Sequence, residues 1–122
     1  MKTETRKPET MTIAQCRGWL AEDEGFRCDT KNACRYSEGW YRMENGQVAF
    51  YARNPVSDNL DAATRCLPDG FYYTFKLQGS ANTGMVVGNA ERGAFSIEIA
   101  DTDEVLVRFR LAVACRMFLK NL

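Results

Sequence analysis

The apolar positions of this chain form short helical and strand-like runs, and the densest run lies at the C-terminal end, residues 101–119, DTDEVLVRFRLAVACRMFL. At about 100° per residue, Val105, Phe109, Ala112, Val113 and Leu119 share one side of a helix, and Val107, Leu111, Ala114 and Phe118 share the other. A helix apolar on both sides must be covered twice. A sheet of its own subunit is expected on one side, and a second helix or a second copy of the chain on the other. Asp101 with Glu104 three residues on has capping-box spacing and predicts where this helix starts. Arg116 projects into the first apolar side, between Val105 and Phe109. A cation there must be paired, reach a polar rim, or meet an anionic ligand or partner.

Upstream, Thr12 and Gln15 have capping-box spacing before Ile13, Ala14, Cys16, Trp19 and Leu20, a short amphipathic helix ending in Glu22-Asp23-Glu24-Gly25. Three acids at a helix end oppose its dipole, so this end is expected to be a solvated turn. Residues 26–39 have no period. Trp40 to Met43 and Gln47 to Arg53 flank Glu44-Asn45-Gly46, a hairpin signal that places Val48, Phe50 and Ala52 on one side and Ala49 and Tyr51 on the other. Ser57 or Asp58 is expected to cap a helix over residues 59–66, and Phe71 to Gln78 alternates as a half-buried strand. Gly79 to Gly84 and Gly88 to Gly93 read as loops around a short strand, Met85 to Val87, and Phe95, Ile97 and Ile99 give a further strand. This order predicts an α+β domain over residues 10–122: one antiparallel sheet of four to five strands with helices packed on it and the long C-terminal helix central. Residues 1–9 are polar and predicted to be a disordered lead-in.

Composition narrows the function. With 122 residues the chain is one domain, and its sixteen basic and sixteen acidic residues cancel. That leaves no electrostatic footprint for nonspecific nucleic-acid or anionic-membrane binding. No run is long enough to span a membrane, and a soluble intracellular protein is expected. Five cysteines without a C-x-x-C pair read as small apolar residues, and the absence of histidine removes the usual general base, the Ser-His and Cys-His pairs and imidazole ligands. No enzyme, metal or cofactor is therefore predicted. Neither glycine loop is followed by Lys and Ser or Thr, so the phosphate-cradle mechanism fails.

The candidate chemistry is binding. Arg108, Arg110 and Arg116 are candidates for holding phosphate. Tyr51 and Tyr72, on the outer register of their strands, are candidates for stacking a base unless a helix covers them. Asn82 and Asn89 sit on the two glycine loops, where ligand contacts are often placed.

Three segments resemble the phage ABA sandwich domain family. Ile13-Ala14-Gln15-Cys16-Arg17-Gly18-Trp19 is similar to its opening I-A-x-x-x-G-W. Ser57-Asp58-Asn59-Leu60-Asp61-Ala62-Ala63, after Pro55, resembles P-x-Y-S-x-D-L-N-A-A, with Val56 for Tyr and with Asn59 and Asp61 in exchanged places. Ala100-Asp101-Thr102 and Leu106 to Ala112 resemble A-D-T-x-x-L-A-I-C-R-A-A with one extra residue. The resemblance implies a phage-encoded α+β sandwich acting in the host cytoplasm. Small phage proteins with a similar order of elements include Thoeris anti-defence proteins, which sequester a cyclic ADP-ribose isomer without cleaving it. That implies a small anionic nucleotide-type ligand held by a homo-oligomer. The alternatives are a protein-binding inhibitor of a bacterial defence complex, resembling an anti-CRISPR and acting near residues 26–39, or an accessory phage protein.

Overall fold

The computed structural model describes residues 7–28, 39–51, 53–88 and 95–121. In chain order it contains α1 (Ile13–Asp23), β1 (Arg27–Cys28), β2 (Trp40–Glu44), β3 (Gln47–Tyr51), α2 (Leu60–Arg65), β4 (Phe71–Gln78), β5 (Ala81–Gly88), β6 (Ser96–Asp101) and α3 (Glu104–Lys120). Before α1, Pro8–Thr10 forms one 3-10 turn within the expected lead-in. Residues 29–38 of the unreadable loop and most of the Gly88 to Gly93 segment lie outside the described residues.

Both apolar sides of α3 are covered within the chain. Phe109, Ala112 and Val113 pack with Met11, Cys16 and Leu20 from the N-terminal region, Trp40 from β2 and Ala63 from α2. Val107, Leu111 and Cys115 pack on Phe71, Val86 and Ile99 of β4, β5 and β6. Leu119, expected with the first group, joins the second, where Phe118 stacks on Phe95 at 4.5 Å between ring centroids.

The strands form two antiparallel three-stranded sheets, β1-β2-β3 and β4-β5-β6, in place of the single larger sheet expected. The second sheet covers one side of α3; the other side is covered by α1, α2 and the 3-10 turn, with Trp40 from the first sheet. Between β3 and β4, α2 contributes Ala63 to the first core and the chain then delivers Phe71 to the second. The Asn-Gly hairpin forms as expected, with Asn45 at φ 52° and Gly46 at φ 80°.

Three local expectations change. Asp103 caps α3, its carboxylate accepting from the amides of Val105 and Leu106, whereas Asp101 ends β6 and accepts from the Asp103 amide at 3.0 Å. Asn59 caps α2 in place of Ser57 or Asp58, accepting from the Ala62 amide at 2.8 Å. Adjacent Asx and Ser residues compete for such turns on nearly equal terms, and only the exit direction of the preceding chain selects among them. The third change is the largest, because Gly79 to Gly84 is not a loop. Gly79, at φ 62°, and Ser80 make a two-residue turn, and β5 starts at Ala81.

Gly84 is a strand residue whose missing side chain lets α3 approach the sheet. A Cβ placed there would lie 2.5 Å from Leu111 Cδ1 and 2.8 Å from Val107 Cγ1. Gly84→Ala is expected to cost about 1–3 kcal/mol, and Gly84→Val more, in urea denaturation. An alanine variant as stable as the parent would show that α3 is not seated this closely.

Candidate functional site

The three arginines expected to gather around a phosphate point to three different places. The Arg108 guanidinium lies over the Phe75 ring, 3.8 Å from its centroid, and pairs with Glu104 at 3.0 Å. Arg110 donates from Nε to the Met11 carbonyl at 2.8 Å and lies 3.7 Å from the Asp101 carboxylate. Arg116 donates from Nε to the Cys66 carbonyl at 3.0 Å, pairs with Asp23 at 3.0 Å and reaches Glu24 at 3.4 Å. All three guanidiniums thus have internal partners, and Arg116 takes the structural ion-pair role among those its position allows.

The acidic end of α1 is solvated at Glu22, Glu24 and Gly25, as expected, but not at Asp23. The Asp23 side chain is only 14% exposed and is shared by Arg116 and by Lys120 Nζ at 3.0 Å. Its C-terminal carbonyls and its acids would repel one another, and cations from the last turns of α3 neutralise both. Two clefts share Asp23 and Lys120: one of about 310 Å³ that includes Arg116, and one of about 410 Å³ that includes Trp19 and Arg27. Helix C-terminal ends border them, and their dipoles disfavour an anion. Arg108 and Asn82 do come together, at a cleft of about 270 Å³ bordered by Phe75 and Val107. Asn82 donates there to the Thr102 carbonyl at 3.0 Å.

Tyr72 is the expected residue that lies open, 73% exposed on the face of the second sheet away from α3. The register around it gives three rows: Tyr72, Val87 and Ser96; Thr74, Met85 and Glu98; Lys76, Thr83 and Ala100. Met85 and Val87 are exposed beside it. These two neighbours were hidden in the sequence because reading Gly79 to Gly84 as a loop left β5 too short to show its alternation. Asn89 and the side chain of Tyr51 lie outside the described residues.

The buried thiols are chemically quiet. Burial pushes Cys16 up to about 12 and Cys115 up to about 11, and raises Cys66 against the opposing pull of Arg116. Tyr73 donates to the Pro68 carbonyl, and its phenol is raised by burial and then by Cys115. Among the described residues no cluster of acids and cysteines suits a metal ion, and no helix is long and apolar enough to cross a membrane.

No family model, no curated protein and no solved structure matches this chain. The likeness to the phage ABA sandwich domain rests on its three short segments.

Arg116→Ala would leave the Cys66 carbonyl without its donor and Asp23 with only Lys120. A loss of about 2–4 kcal/mol in chemical denaturation is expected, with Arg116→Lys recovering only part because a compact ammonium lacks the spread of donors with which the guanidinium reaches Cys66, Asp23 and Glu24 at once. An unchanged midpoint would rule out this structural role. The thiols give a pH dependence. Their folded values exceed the ordinary value of 9.0, so their contribution is complete below pH 9.0 and is lost as pH rises toward 11 to 12. Stability measured from pH 7 upward should therefore hold until about 9 and then fall, less steeply in Cys16→Ala.

Proposed function

We propose that this chain is a non-catalytic binding protein that works through contact between another protein surface and the outer face of its second sheet. The observation that carries this reading is the setting of Tyr72. A sheet with one solvated face alternates apolar inward and polar outward. Here the outward positions of β4 and β5 place Tyr72 opposite Val87, with Met85 two residues along the same strand as Val87. Tyrosine and methionine are enriched at protein interfaces, and a flat three-stranded face suits a protein better than a small molecule.

Within the context the resemblance implies, this favours a phage-encoded inhibitor acting by protein contact in the host cytoplasm. Capture of a cyclic ADP-ribose isomer would need cations free to grip a pyrophosphate. Arg108, Arg110 and Arg116 are each engaged with internal carboxylates or carbonyls, and so are poorly placed to do this.

Tyr72→Lys combined with Val87→Lys changes only exposed positions. The double variant is expected to keep its melting temperature and to lose anti-defence activity when phage are plated on hosts carrying a panel of defence systems. Full activity in that variant would sink the reading. In parallel, a thermal-shift screen against cyclic ADP-ribose isomers and cyclic di- and trinucleotides is expected to show no shift. A rise of several degrees with one of them would restore ligand sequestration as the function.

A further inference from the structure

The three rows of the outer face carry one cation and one anion, Lys76 on β4 and Glu98 on β6. Both are exposed, and among the described residues neither has an ion-pair or hydrogen-bond partner. They are two strands and two residues apart, about 12 Å on ideal strand spacings, so they stand well separated within one copy. A protein that covers this face must place an anion opposite Lys76 and a cation opposite Glu98, because burying either charge alone is costly.

We infer that the occupant of this face is a second copy of the chain, docked about a two-fold axis that pairs Lys76 of each copy with Glu98 of the other. The inference rests on the reading of this face as a protein-contact surface and names what covers it in the free protein; a contact this small gives way to the target that the proposed function assigns to the same face. Symmetry supplies the complement automatically: in an isologous contact, whatever Lys76 meets on the partner must in turn meet Lys76. The apolar residues agree with the same axis. On ideal spacings, the line that exchanges Lys76 and Glu98 passes within about 2 Å of the Tyr72 and Met85 positions. Each of these side chains would therefore meet its own counterpart at the centre, with the charges outside them.

The size of the face sets the strength. Two eight-residue strands and one of six residues, side by side, give a footprint of roughly 350 Å² per copy. A stable interface covers about 800 Å² per partner, so the dimer is weak and forms in proportion to concentration.

Sedimentation equilibrium of the full chain tests this. The parent protein is expected to be a monomer–dimer mixture with a dissociation constant of about 10–500 µM. Lys76→Glu and Glu98→Lys should each weaken the dimer about tenfold or more, since each sets like charges against each other. The double exchange, Lys76→Glu with Glu98→Lys, should return it to within about threefold of the parent. Tyr72→Lys should also dissociate it, with all variants retaining the parent melting temperature. A parent that stays monomeric to about 1 mM overturns the inference. So does a dimer indifferent to both single charge changes, or a double exchange as weak as the singles. A monomeric parent whose activity still falls with the Tyr72 and Val87 changes would leave the contact reading standing with a foreign partner. Retained activity in those variants would remove that reading, whatever the oligomeric state.

Discussion

A helix apolar on both sides, buried on both sides by its own chain, is the constraint from which the rest of this structure follows. Phe109, Val107, Leu111 and Val113 are fully buried on α3, and each such side chain contributes about 1.5–3 kcal/mol by leaving water. No single layer reaches both sides. The second sheet therefore packs on one side, close because Gly84 has no side chain, and α1, α2 and the 3-10 turn pack on the other, joined by Trp40 of the first sheet. The two cores meet through α3, with Leu67 packed against both, and so a change on that helix is felt by both.

The arginines belong to the same solution. Arg17, Arg110 and Arg116 each direct Nε to a backbone carbonyl outside the helices and strands, those of Val56, Met11 and Cys66. Irregular segments packed against a core need donors for their carbonyls, because they have no ladder of their own. A guanidinium supplies one donor for that purpose and keeps others for a carboxylate, as Arg116 does with Asp23 and Glu24. Cations set among apolar residues of α3 thus serve the architecture.

The two faces of the second sheet differ in the same way. The α3-facing side of the second sheet is filled by Phe71, Val86, Ile99 and the aromatic group around Phe118. The opposite side presents Tyr72, Met85 and Val87 with Lys76 and Glu98, which have no ion-pair partner among the described residues. Substitutions there need not disturb the core, so this face can be shaped by a partner without cost to the fold.

Much of the local structure was legible in the sequence. The 3.6-residue period of α3 and its two apolar sides, the capping box at Thr12 and Gln15, the Asn45-Gly46 hairpin and the alternation from Phe71 to Gln78 each depend on neighbours a few residues away, and a linear pattern records them directly. The outer register of Tyr72 was legible for the same reason, but whether a helix covers it was not. Whether one sheet or two would cover α3, that Gly84 serves close packing and not a turn, and that Arg116 answers Asp23 depended on residues up to 93 positions apart. A glycine chosen for a turn and one chosen for a close helix read alike in sequence, as do an arginine awaiting a ligand and one paired across the core. Only the three-dimensional packing distinguishes them, because it decides which groups lie within a few ångströms of one another.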